Sequence, residues 1–171
     1  MIKYIFFFFF CSTVGYSQSI HDFAKNGDVQ AIKTLDIKDQ KVFDTQNENG
    51  YTPLMLAAYY NKTDIILYLL KNKVDINAIS PYGTALMAAV FKGHKQAALL
   101  LLQQGADPNI CDENKATALQ MSALFNHDDI AAYLLEFGAD VNAKDFRGNK
   151  ALDYAILKQN EIIIKLLNTY Q

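Results

Sequence analysis

The chain has 171 residues, of which 51% are hydrophobic and 20% are charged, and its formal net charge at pH 7 is −2. This near balance, without a cluster of Lys and Arg, excludes a strong electrostatic attraction to nucleic acid. Beyond the N-terminal segment no apolar run reaches the roughly 18 residues of a membrane-spanning helix, so we expect no membrane insertion of the mature chain.

Residues 1–17 are predicted to be a secretory signal peptide. Lys3 is the only charge, and Phe6–Phe10 lie within an apolar stretch of roughly ten residues, which is too short to span a bilayer. Small side chains, including Ser17, precede an expected cleavage site before Gln18. The pattern predicts a periplasmic or secreted protein, and the residue usage is typical of bacteria.

Removing residues 1–17 from 171 leaves 154, enough for one domain with a sizeable core, residues 18–171. Cys111 is then the only cysteine, so no internal disulfide can form even in an oxidising compartment. The folded chain must therefore depend on packing.

Four segments of the mature chain align as an internal repeat. Equivalent leucines recur at spacings of 32, 33 and 33 residues, at Leu54, Leu86, Leu119 and Leu152. A pair of leucines follows in each row, at 69–70, 101–102, 134–135 and 166–167. Three of these pairs precede an Asp-x-Asn triplet, at 75–77, 107–109 and 140–142.

This pattern resembles the ankyrin repeat, most clearly in Thr-Pro-Leu-Met-Leu-Ala-Ala at 52–58 and in Leu-Leu-Glu-Phe-Gly-Ala-Asp-Val-Asn-Ala at 134–143. The resemblance covers about residues 19–171 and divides them into five repeats, 18–46, 47–79, 80–111, 112–144 and 145–171. It implies an all-α solenoid of helix-turn-helix units with short β-hairpin tips.

The residues favour the same architecture on physical grounds. Each row offers two short segments with apolar residues at helical spacing, and neither is long enough to be stable alone. Each must therefore pack against the next row, which predicts that Leu101 and Leu134 are buried between second helices. Thr52, Thr84 and Thr117 are predicted to cap the first helices.

Several positions depart from the family pattern. The family pattern has a His after Thr-Pro-Leu, and this chain has Met55, Met87, Gln120 and Asp153 at that position. The polar network that the His would form with the Thr is therefore predicted to be missing. Lys73 replaces the Gly that ends the second helix in other rows. The residue between Gly and Thr is missing at Gly83-Thr84, which predicts a shortened hairpin tip. The last row is expected to be one residue short between its helices, around 158–160.

No arrangement of residues indicates catalysis. His94 and His127 are 33 residues apart and share one repeat position, which predicts a structural or solvated role for both. The recurrence of the Asp-x-Asn triplets identifies them as turn residues that bond to neighbouring backbone. Because no Gly-rich phosphate loop or metalloprotease motif occurs, we predict no catalytic residues, no metal and no cofactor.

The resemblance implies a partner-binding concave face, built from the hairpin tips and the inner side of the first helices. Carrying these positions over predicts the binding residues Glu48, Asn49, Tyr51, Tyr59, Tyr60, Tyr82, Phe91, Lys92, Glu113, Asn114, Phe125, Phe146, Arg147 and Lys158. Pro81, Leu124, Asn149 and Leu157 complete the eighteen positions carried over. Seven of the eighteen are aromatic, against 12% of the whole chain, and aromatic side chains commonly anchor interfaces. Phe91, Leu124 and Leu157 either join this surface or pack against neighbouring first helices.

The sequence therefore predicts an exported, monomeric, non-enzymatic module that binds another protein. One alternative is an immunity or inhibitor protein that acts against an exported toxin or enzyme. A second alternative is a structural or assembly role, through self-association of the apolar last helix.

Overall fold

The computed structural model describes residues 20–35 and 40–170, and the predicted signal peptide lies outside these ranges. Within these ranges the chain forms ten α-helices and, in addition, a 3₁₀ helix at Gln40–Asp44. The α-helices are α1 (20–26), α2 (Val29–Thr34), α3 (Pro53–Tyr59), α4 (Thr63–Lys71), α5 (Ala85–Phe91), α6 (Lys95–Gln103), α7 (Ala118–Leu124), α8 (Asp128–Glu136), α9 (Ala151–Leu157) and α10 (Glu161–Asn168). No helix in these ranges has the length and hydropathy that crossing a bilayer requires.

Successive helices pair, and the pairs stack. The first helices α3, α5, α7 and α9 contact one another in that order, and the second helices α4, α6, α8 and α10 do the same. The longest of these helices have only nine residues, so their stability comes from contacts between neighbouring pairs. The predicted all-α solenoid of helix-turn-helix units is confirmed.

The recurring leucines form a continuous core. Leu54, Leu86 and Leu119 on the first helices are at most 2% exposed. Leu101 and Leu134 on the second helices are fully buried, as predicted. The stack is thus joined at both helices of each pair.

Threonine caps start three of the first helices, as predicted. The hydroxyl oxygens of Thr52, Thr84 and Thr117 accept hydrogen bonds from backbone N–H groups three residues later, at 3.2, 3.4 and 3.5 Å. Each cap satisfies one donor that the helix itself leaves unpaired.

The prediction that the polar network with the threonine is missing is wrong in the fourth repeat. The Thr117 N–H donates to Gln120 Oε1 at 2.7 Å, and Gln120 Nε2 donates to the carbonyls of Ala143 and Asn149 at 3.1 and 2.7 Å. An amide replaces an imidazole here because it also carries both a donor and an acceptor. The fifth repeat has Lys150 in place of the threonine, and its backbone N–H donates to the Asp153 carboxylate at 2.7 Å.

The prediction of a shortened turn in the last repeat is also wrong. Three residues separate α9 from α10, and three separate α7 from α8. The middle residues of the two turns, Gln159 and Asn126, have φ values of 55° and 60°. Gln159 therefore adopts the left-handed conformation that the turn requires, so no residue is lost.

The tips that open the later repeats share one hydrogen-bonding scheme. Oδ1 of Asn47, Asp112 and Asp145 each accepts two backbone N–H groups, from the residues two and four positions later. At Ser80 the tip closes one residue earlier, through reciprocal backbone bonds with Gly83 at 3.0 and 2.9 Å. The predicted short tip is confirmed, and the β pairing in the described ranges is limited to the isolated bridges Ser80–Gly83 and Cys111–Thr117.

The Asp-x-Asn triplets form a ladder along the loops after the second helices. Within each triplet the Asp Oδ1 accepts the Asn N–H. Between repeats, Asn77 Oδ1 accepts the Asp107 N–H at 3.0 Å, and Asn109 Oδ1 accepts the Asp140 N–H at 2.8 Å. The triplets are therefore turn residues that bond to neighbouring backbone, as predicted.

Candidate partner-binding site

Two tyrosines, which we call the tip pair, stack on each other across adjacent tips. The rings of Tyr51 and Tyr82 have centroids 5.3 Å apart and planes 15° apart, and Tyr82 is 62% exposed. Their backbone positions are fixed because Asn47 Oδ1 accepts the Tyr51 N–H and Ser80 Oγ accepts the Tyr82 N–H. Burial raises the pKa of Tyr51, and the nearby phenols of Tyr82 and Tyr59 raise it further.

A second set of rings, the helix-end row, crosses three repeats where the first helices end. It consists of Tyr60, Tyr59, Phe91, Phe125 and His127, with successive ring centroids 5.0, 6.4, 5.2 and 6.2 Å apart. Phe91 and Phe125 meet edge to face, a preferred geometry for aromatic pairs. The row lies outside the leucine core, since Tyr60, Phe91 and Phe125 are at least 39% exposed.

Lysine ammonium groups lie over several of these aromatic rings. Lys25 Nζ is 5.5 Å from the ring centroid of Tyr60, and Lys92 Nζ is 5.1 Å from that of Tyr59. Lys115 Nζ lies 5.1 Å from the centroid of Phe146, which is 65% exposed. These distances are within the range of cation–π attraction.

A cavity of about 360 Å³ lies between the tip pair and the helix-end row. Tyr51 and Tyr82 line it together with Tyr59 and Phe91. The buried Met55 and Met87, together with Met121, also line it. Asp112 is the one charged side chain among the described lining residues. The cavity is therefore mainly aromatic and thioether-lined, with a single carboxylate.

The predicted polar binding residues lie in the tips and at the ends of first helices. All are exposed: Glu48, Asn49, Lys92, Glu113, Asn114, Arg147 and Lys158. Backbone bonds to the tip side chains fix Asn49, Asn114 and Arg147 in position. Phe146, in the tip that begins at Asp145, lies beside the tip that begins at Asp112, because its N–H donates to the Asn114 carbonyl at 3.0 Å.

The three positions that the sequence left open differ in exposure. Phe91 is 49% exposed and Leu157 is 69% exposed, whereas Leu124 is partly buried. Phe91 therefore belongs to the surface row, through its contacts with Tyr59 and Phe125.

The two equivalent histidines have structural contacts, as predicted. His94 Nε2 is 3.1 Å from the Tyr59 carbonyl oxygen of the preceding repeat. The His127 ring packs on Gly93, where an added Cβ would come within 2.7 Å of it. Burial lowers the pKa of His127, while Asp128 acts in the opposite direction. In the described ranges no cluster of His, Cys, Asp and Glu could hold a metal ion.

The predicted binding residues include the aromatic part of the cavity lining but not its methionines or Asp112. Met55 and Met87 share one repeat position, where the family pattern has a histidine, and this position is not one of those that the resemblance assigns to the binding face. Asp112 comes directly before the predicted tip residues Glu113 and Asn114, and the common bonding scheme of the tips could have identified it. These residues come from three different repeats, so no single row shows them together.

Comparison with known proteins identifies the repeat. A family model for ankyrin repeats, in three copies, matches residues 20–112 and 98–171. The chain is 36% identical over 96 residues to ankyrin repeat and SAM domain-containing protein 6 of Rattus norvegicus, a match that covers 55% of this chain and 11% of that protein. It is 34% identical over 94 residues to ankyrin repeat and SOCS box protein 2 of Homo sapiens, covering 53% and 14%.

A third relative is inversin of Danio rerio, which is 38% identical over 84 residues, 47% of this chain and 8% of that protein. The chain thus spans 8 to 14% of the length of these three relatives. The family match extends over nearly all the described residues, and the helix pairs stack as such repeats do. The chain belongs to the ankyrin repeat family.

Proposed function

We propose that this protein is an exported, non-enzymatic module that binds another protein through the face that carries the tip pair and the helix-end row. Ankyrin repeats are in general protein–protein interaction modules. The observation that carries the proposal is the contact of exposed aromatic rings with one another across three repeats, outside the core. Exposed apolar surface of this kind is typical of interaction sites.

The chemistry of this face predicts the character of the interface. Aromatic rings supply a large apolar area and few rotatable bonds, and such residues dominate the energy of many interfaces. The exposed Glu48, Glu113, Lys92 and Arg147 supply charges of both signs. Because no single sign dominates, binding should weaken only modestly as salt increases.

Alanine substitutions test this proposal. Tyr60→Ala and Tyr82→Ala each remove an exposed ring, so the melting temperature should change little while partner affinity falls by about 2 kcal/mol or more. Lys33→Ala on α2 is the control, because Lys33 lies on a second helix away from the tips. Calorimetric titration with the purified partner measures the affinities, and equal affinity in all three variants would contradict the use of this face.

Export is a separate part of the proposal. The single charge of residues 1–17, their short apolar stretch and the small residues before Gln18 support secretion with cleavage at that point. Mass spectrometry of the native N-terminus should find Gln18 or a neighbouring residue in the periplasm or medium. An intact Met1 on protein from the cytosol would contradict export.

Self-association is a second candidate function, favoured by the last helix pair. Ile156, Leu157 and Ile162 are 56, 69 and 63% exposed, which is unusual for large aliphatic side chains. If this surface drives assembly, light scattering should show a dimer that Ile156→Lys dissociates. A monomer at every concentration would remove this candidate and agree with the monomeric state that we expect.

A further inference from the structure

We propose that the cavity between the tip pair and the helix-end row binds one cationic side chain, Arg or Lys, presented by the partner protein. The inference rests on the proposed function, since it places the partner on this face. It specifies which type of partner side chain occupies the cavity on that face.

The charge of the cavity favours a cation. Asp112 is the one charged residue among its described lining residues. Asp112 Oδ1 accepts the N–H groups of Asn114 and Ala116, at 2.8 and 2.9 Å, whereas its Oδ2 accepts a single long bond of 3.5 Å from Asn114 Nδ2. A carboxylate can accept about four hydrogen bonds, so Asp112 retains capacity for a guanidinium or ammonium donor.

The aromatic walls favour the same occupant. The rings of Tyr60 and Phe146, outside the cavity, each already attract an ammonium group of the chain itself. The Tyr59 ring, which lines the cavity, has Lys92 Nζ over it. Within the described ranges no lysine or arginine of the chain lies over the rings of the tip pair. These rings are therefore available to a cation from outside, which is attracted to their electron-rich faces.

The size and the remaining lining fit a long, flexible side chain. At about 360 Å³ the cavity is near the lower end of the roughly 300–1,000 Å³ range of ligand pockets, so it suits one side chain better than a folded element. The methylene stem of Arg or Lys can pack on the thioethers of Met55 and Met87 while its charged end faces Asp112. A purely apolar side chain would instead cover the Asp112 carboxylate without pairing it, which is unfavourable.

A pair of isosteric probes tests the charge preference without any partner protein. N-acetyl-arginine methylamide and the neutral N-acetyl-citrulline methylamide have nearly the same shape, and titration is followed by NMR shifts of the Met55 and Met87 methyl groups. We expect the arginine probe to bind at least about fivefold more tightly, since only the cation gains from the rings and from Asp112. Equal binding of the two probes would overturn the proposal.

Substitution of Asp112 tests which group provides the preference. Asp112→Asn removes the charge but retains the Oδ1 acceptor, and Asn47 shows that an asparagine forms the same tip. The preference for arginine should fall about threefold or more in this variant. Asp107→Asn is the matched control, because it removes the same charge from a loop that does not line the cavity. Loss of the preference in both variants, or in neither, would contradict the role of Asp112.

The two proposals can fail separately. If parent protein shows no arginine preference but Tyr82→Ala still weakens partner binding, the cationic occupant is wrong and the binding face remains. If the arginine preference is present but neither Tyr60→Ala nor Tyr82→Ala affects the partner, the binding face is wrong, and the cation that the cavity accepts does not come from the partner.

Discussion

The last helix pair and the inner helix pairs place the same repeat position in opposite environments. Val90 on α5 and Ala123 on α7 are fully buried, whereas the equivalent Ile156 on α9 is 56% exposed. Ile156, the largest of these three apolar side chains, is thus the one in contact with water. The difference arises because α5 and α7 have first helices on both sides, while α9 has one on a single side within the described ranges.

This comparison teaches that burial in the solenoid depends on neighbouring repeats more than on residue type. In a stack whose units contact only their neighbours, stability is approximately the sum of unit and interface contributions. The same substitution should therefore have different consequences in an inner repeat and in the last one.

The largest difference is expected for core leucines of second helices. Leu134→Ala should reduce the free energy of unfolding by about 2–5 kcal/mol, because α8 has neighbours on both sides. Leu167→Ala on α10 should cost less, near the lower end of that range, since the surroundings can relax on the open side. Urea unfolding of both variants measures the difference, and equal losses would contradict the comparison.

A smaller effect is expected for a hydroxyl introduced at the position shared by Val90 and Ile156. Val90→Thr preserves shape but buries a polar group, so it should cost about 1–3 kcal/mol. Ile156→Thr changes an exposed side chain, and its effect should remain within about 0.5 kcal/mol. Thermal unfolding tests the pair; a large loss for Ile156→Thr would show that this surface is covered in solution.

The smallest effect concerns the residue two positions after the end of the second helix, in three successive repeats. Lys73 has a φ of 60°, where the later repeats have Gly105 and Gly138 with φ of 91° and 85°. Because a side chain is strained in this left-handed region, Lys73→Gly should stabilise the protein by about 0.5–1 kcal/mol. Gly138→Lys should destabilise it by a similar amount, and denaturant titration of both would show whether the two positions are equivalent.

Much of the fold could be predicted because its causes repeat along the sequence. Leucines spaced 32 or 33 residues apart indicated the stacked helices, and the threonines before Leu54, Leu86 and Leu119 indicated the caps. The network of Gln120 was missed because its acceptors, the carbonyls of Ala143 and Asn149, belong to the next repeat.

The binding face was harder to predict than the fold. Repeat positions identified the aromatic residues, and these positions remain a prediction of the binding site. Which rings touch depends on the exact path of the tips: Tyr51 and Tyr82 stack, whereas Phe146 contacts Lys115 instead. The cavity could not be seen in any single row because its lining comes from three repeats.

The Asp-x-Asn ladder determines how the solenoid could be lengthened. Asn77 and Asn109 each hold the backbone of the following loop, but Asn142 Oδ1 accepts a bond from the Lys150 side chain at 2.8 Å. Lys150 therefore occupies the acceptor that an additional loop would use. A designer who grafts a further repeat onto α10 should replace this lysine as well as the exposed isoleucines, so that the added unit finds both its hydrogen-bond acceptor and its apolar contact surface.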